Sequence, residues 1–232
     1  MISQVCKKAD LLLFPAGFYK EKRRPEYLYG ETENFIKDCL NKEDSDTNIC
    51  LGIDGRNGKD QMALAINRQR IIAMGRKFYP TEGEKNDIQT ANDYMAEERG
   101  VSRILQVKGK KLYMAVCYDG FGIRKLNLTN PHVDAVLNLV HGFYPKGDGG
   151  SGDVYFAKYS FAGSSKQWKC PTFGAATFLG RDIPLNWPTG VLWNQKNKNL
   201  QNWKYQDNPL SPIDEMEVST KDEKALIRVF LL

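Results

Sequence analysis

LYMAVCYD, residues 112–119, is an apolar run with the character of a buried strand, and it ends on a cysteine, Cys117, followed at once by Tyr118, Asp119 and Gly120. A buried strand holds its last side chain on rigid backbone, so a thiol at this point is poised for chemistry. The glycines of the turn, Gly120 and Gly122, leave backbone N–H groups to face a reacting oxygen. The plainer reading is that Cys117 is a small buried hydrophobe, as unpaired cysteines commonly are.

Around this stretch, apolar runs at residues 10–14, 48–53, 62–67, 70–75, 103–107, 111–117, 134–140, 172–178, 189–194 and 224–231 read as strands. Residues 30–42 have helical spacing that places Phe35, Ile36, Cys39 and Leu40 on one face; residues 120–130 and 151–168 are the other helix candidates. Arg68 and Gln69 read as a tight hairpin turn. Several strands are apolar on both faces, which predicts sheets covered on both sides in a layered α+β architecture. The stretches 143–153 and 194–212, rich in Gly, Asn, Pro and Lys, read as long surface loops. GDGGSGD at residues 147–153 has no following Lys-Ser/Thr and makes a poor phosphate cradle.

The chain has 232 residues, 41% hydrophobic and 26% charged, enough for one sizeable core and a single domain over residues 1–232. Its net charge of +5 comes from short basic clusters at 20–24, 108–111 and 196–204, which read as solvated surface rather than a nucleic-acid face, although Trp203 and Tyr205 lie beside the last one. Five cysteines, Cys6, Cys39, Cys50, Cys117 and Cys170, make an odd count without a C-x-x-C pair, so neither a disulfide framework nor a structural zinc site is expected. No metal or cofactor is implied. With no apolar run of membrane-spanning length and no signal-like leader, the expectation is a cytoplasmic protein without membrane or nucleic-acid partners.

The order of segments carries a resemblance. ADLLLFPAGF at 9–18, a hairpin ending MGRKFYP at 74–80, and KKLYMAVCYDGFG at 110–122 followed by VDAVLNLV at 133–140 resemble the carbon–nitrogen hydrolase, or nitrilase, superfamily. The resemblance implies a four-layer αββα sandwich, a habit of pairing subunits into a homodimer, and a cysteine, lysine and glutamate that hydrolyse small-molecule amides and nitriles. Cys117 matches the nucleophile and Lys77 the lysine that stabilises the oxyanion, with the Tyr118 backbone N–H beside it. Glu84, seven residues after Lys77, falls where a second glutamate orients that lysine; read alone, it is a solvated loop charge.

One position departs. After Phe-Pro, where the family carries its general-base glutamate, this chain has Ala16, at the margin of the expected substrate pocket. A cysteine thiol titrates at roughly 8.5 and amide cleavage needs a proton delivered to the leaving nitrogen, so acid–base capacity must come from elsewhere. His141 directly follows the strand at 134–140, and strand ends in a layered sheet converge on one rim; the expectation is a Cys117–His141 pair. Against it stands a His141 that only hydrogen-bonds a loop, and Glu21, Glu26 and Glu82 are alternative carboxylates. Trp187 is a candidate for a pocket rim, with core packing the plainer role for it and for Trp168, Trp193 and Trp203.

The chain also has only nine residues before Asp10, so the family's first strand is expected to be missing, with KALIRVFLL at 224–232 available to fill the gap. Together with Ala16 this leaves two readings: a diverged amidohydrolase, or an inactive relative that binds a ligand or a partner.

Overall fold

A computed structural model describes residues 5–7, 9–145, 152–194, 199–204, 207, 209–219 and 224–232. Two sheets dominate. In the first, β1 (Leu11–Leu13) and β2 (Tyr19–Lys20) pair in parallel with successive parts of β3 (Asn48–Gly55), which continues antiparallel to β4 (Asp60–Ile66) and β5 (Ile71–Arg76). The second runs in the order β10 (Gly190–Val191), β9 (Thr172–Phe178), β8 (Ala135–Phe143), β7 (Lys110–Val116) and β6 (Ile104–Val107), with β7, β8 and β9 mutually parallel.

Strand alternation decides which side chains go where. On β3 and β4 the odd-even pattern sends Cys50, Ala63 and Ala65 inward, where they meet Leu112, Met114, Val116, Leu137 and Leu139 of the second sheet. Ile49, Leu51, Ile53, Met62, Leu64 and Ile66 point the other way, under helix α1 (Pro25–Lys42). On the outer face of the second sheet, Tyr113 and Val136 pack with Ile123 of α2 (Asp119–Lys125), and Val140 packs with Phe156 and Phe161 of a continuous helical rod. That rod is α3 (Asp153–Phe156), a π-helical segment (Ala157–Ala162) and α4 (Gly163–Trp168). The layers are helix, sheet, sheet, helix, and the doubly apolar strands of the sequence are those buried on both sides.

α1 starts five residues before the expected 30, at Pro25, whose fixed φ and missing N–H suit a first helical position. It buries Leu28, Thr32, Ile36 and Leu40 at four-residue spacing. Phe35, expected on the buried face, is exposed. The helix expected over 120–130 is shorter and the strand over 189–194 contracts to two residues. The turn at Arg68 and Gln69 is wider than a two-residue hairpin: Asn67 Oδ1 accepts the N–H groups of both Gln69 and Arg70 at 2.9 Å and closes the loop.

The terminal run does not fill a gap in the first sheet. β12 (Lys224–Val229) pairs with β11 (Asp214–Ser219), a strand not expected from sequence, in a separate two-stranded hairpin. Trp187 is buried, not on a rim, and packs on Phe143, Phe161 and Phe178 with ring centroids 5.4 Å away in each case. The expected Gly-rich loop lies mostly outside the described residues, as do residues 196–198 of the last basic cluster. Among the described residues no helix is long and apolar enough to cross a membrane.

Candidate active site

β7 delivers Cys117 and then breaks. Cys117 has φ +52°, a left-handed conformation that side-chain-bearing residues adopt only when the surroundings impose it, at a cost of about 1 kcal/mol or more. What imposes it is the switch from strand to helix: the Cys117 N–H still donates to Leu139 O of β8 at 2.7 Å, while α2 opens two residues later. The N–H groups of Gly120 and Gly122, expected to face a reacting oxygen, are instead consumed by this helical turn, donating to the carbonyls of Cys117 and Tyr118. Gly120 serves packing: a Cβ there would collide with Ser160 and Asn138 beneath it.

Asp119 fastens the loop that carries the lysine to the strand that carries the thiol. Fully buried, it accepts N–H bonds from Phe78 at 2.8 Å, Tyr79 at 2.9 Å and Val116 at 3.0 Å. Lys77, immediately before that loop, is 1% exposed and donates to Gln61 Oε1 and to both Glu84 oxygens, each at 2.8 Å. Glu84 is therefore not a solvated loop charge. Burial opposes its ionisation, yet the Lys77 ammonium and the Thr81 and Gln61 hydrogen bonds prevail and hold it at about 2. Lys77 also lies over the Tyr118 ring, 5.8 Å from its centroid, and that ring stacks on Phe121 at 4.6 Å.

His141 meets Cys117. The pairing register of β8 with β9 shifts between Leu139 and Gly142, an irregularity of the kind that re-aims side chains, and the imidazole at this step comes beside the Cys117 sulfur. Its Nε2 lies 3.1 Å from Oδ1 of Asp54, near the end of β3 and 3% exposed. Burial alone would lower the His141 value, but Asp54 and the Cys117 sulfur raise it to about 9. Burial alone would raise that of the Cys117 thiol, but the charge of Lys77 and the bond to His141 hold it below its ordinary value. The two shifts run in the directions that stabilise a thiolate beside an imidazolium.

Asp54 was missed by the sequence reading, since it appears there only as a charge after an apolar run. Ala16 is 4% exposed and packed into the core between the sheets, with its N–H on Val140 O at 3.2 Å, so its side chain does not face an open pocket. Glu21 and Glu82 form surface ion pairs with Arg23 at 2.5 Å and Lys85 at 2.8 Å, and Glu26 sits in the first turn of α1.

A carbon–nitrogen hydrolase superfamily protein from Xanthomonas campestris matches 99% of this chain and 81% of its own at a TM-score of 0.56 and 11% identity. The chain has the carbon–nitrogen hydrolase fold. A carbon–nitrogen hydrolase from Helicobacter pylori matches 73% of the chain at a TM-score of 0.51 and 13% identity. An amidase from Nesterenkonia sp. matches 73% at 0.49 and 17%. The chain spans 62% and 64% of the length of these last two, under two thirds. No family model and no curated protein matches the sequence. On this carbon–nitrogen hydrolase fold, Cys117 follows the end of β7 and Lys77 follows the end of β5.

Proposed function

We propose that the protein is a nitrilase-like hydrolase of small-molecule amides, in which Cys117 is the nucleophile, Lys77 stabilises the oxyanion and His141 supplies the acid–base chemistry that the residue at position 16 cannot. The observation that carries this reading is the placement of the His141 imidazole beside the Cys117 thiol, its Nε2 held 3.1 Å from Asp54 Oδ1, with Lys77 near the same sulfur. The Cys117 thiolate attacks the amide carbon, and the carbonyl oxygen takes the negative charge beside Lys77. The C–N bond then breaks as the nitrogen takes the proton of the His141 imidazolium and leaves as ammonia or an amine. Neutral His141 next takes a proton from water as the hydroxyl adds to the thioester; the acid departs, and thiolate and imidazolium are restored. Glu84 keeps Lys77 aimed, accepting from its Nζ with both carboxylate oxygens.

Incubation with a panel of short aliphatic and aromatic amides, followed by intact-mass measurement, is expected to show an acyl adduct on Cys117 that is absent from Cys117→Ala, together with release of ammonia. No adduct above the Cys117→Ala control overturns the reading. Ala16 favours that opposite outcome, in which the fold is retained for binding alone.

A further inference from the structure

We infer that Asp54 is a positioning residue for His141, completing a Cys117–His141–Asp54 relay whose members come from the ends of β7, β8 and β3; this rests on the proposed hydrolase reading. A histidine serves as acid and then as base only if its ring is held in one rotation, and that requires a partner for the nitrogen turned away from the nucleophile. Asp54 supplies it at 3.1 Å from a central strand of the first sheet, across 87 residues of sequence. The residue that carries the carboxylate is fixed in the sheet. It is 3% exposed, its backbone C=O accepts the Glu21 N–H at 2.9 Å, and it is in register with Gln61 on β4 and Lys20 on β2.

The space for this pair exists because residue 17 is glycine. Gly17 has φ +62°, and a Cβ built on it would lie 3.1 Å from both Asp54 Oδ2 and His141 Cδ2. The loop after β1, which in the resembling family presents the glutamate, thus yields its place to a histidine and an aspartate from other strands. An aspartate in this position also does what a neutral acceptor does not, since its charge favours the imidazolium formed in each cycle.

The groups that face His141 are few: Cys117 from β7, Asp54 from β3, and Lys77 through Cys117, with Glu84 behind it. Lys20 is the register partner of Asp54 on β2. Asp54 is therefore the negative charge, other than the thiolate itself, that the imidazole meets.

The test compares wild type, Asp54→Asn and His141→Ala for iodoacetamide alkylation of Cys117 and for amide turnover across pH 5–10. Asp54→Asn keeps the shape and loses the charge. Its turnover is expected to fall at least tenfold at neutral pH with KM little changed, and the basic limb of its profile to move down by a unit or more. An Asp54→Asn profile that superimposes on wild type, while His141→Ala is impaired, overturns the role of Asp54 alone. No adduct in wild type, or unimpaired His141→Ala, overturns the hydrolase reading instead. The second measurement needs no variant: with only His132 and His141 in the chain, the imidazole resonances of the wild type can be titrated by NMR. A His141 that stays protonated above pH 8 supports the relay, and one that titrates near an unperturbed 6.5 overturns it.

Discussion

Asp119 Oδ1 accepts the backbone N–H of Phe78 at 2.8 Å, joining two segments 41 residues apart. Through this bond and its companions to Tyr79 and Val116, the segment bearing Lys77 is tied to the strand end bearing Cys117.

Truncating that carboxylate leaves three N–H groups, one buried and two partly buried, without their acceptor. Asp119→Ala is expected to lower the unfolding free energy by about 3 kcal/mol or more, since each abandoned donor costs roughly 1–3 kcal/mol. Urea denaturation checks this, and a loss below about 1 kcal/mol contradicts the account.

Gly17→Ala puts a methyl group against His141 and Asp54 and forces an L-residue into a positive φ. The backbone term alone is about 1 kcal/mol. Beyond it, displacement of the imidazole is expected to slow Cys117 alkylation at neutral pH several-fold. A variant that is less stable but alkylates at the wild-type rate would show that the ring does not depend on this glycine.

Removing the positive charge near the sulfur moves the thiol in a known direction. In Lys77→Met, the pH midpoint of Cys117 alkylation is expected to rise by a unit or more, because the favourable charge is lost while the burial remains. An unmoved midpoint would mean that His141 alone sets the thiolate.

Acid sensitivity has a definite sign at Glu84. Its folded value of about 2 lies below the ordinary glutamate value of roughly 4.3, so its contribution is complete above the latter and is lost as pH falls toward the former. The shift corresponds to on the order of 2–3 kcal/mol. The stability difference between wild type and Glu84→Gln is therefore expected to shrink between roughly pH 4 and pH 2; a difference constant across that window refutes the linkage.

The apolar strands were legible because they are buried on both sides, and LYMAVCYD, GRK and FPA fixed the relative order of the site's parts. That His141 lies near Cys117 was also readable, since β7 and β8 are parallel neighbours whose ends meet. Asp54 was not. Its partner is on the other sheet, and nothing in NICLGIDG distinguishes a strand-end charge from one turned onto an imidazole. β11 was missed for a different reason: DEMEVS is half charged and only partly covered, so its alternation carries little hydrophobic signal. The turn at residues 67–70 depended on one asparagine oxygen, a local bond invisible to hydrophobic pattern.

The shift of register between Leu139 and Gly142 has a meaning beyond local geometry. It makes the proton-handling group of the proposed site portable: a small slip in one ladder gives the rim a new address for acid–base chemistry while the thiol and its lysine keep theirs. Substitutions around Ala16 can then be judged by the space they leave for the imidazole rather than by their power to titrate.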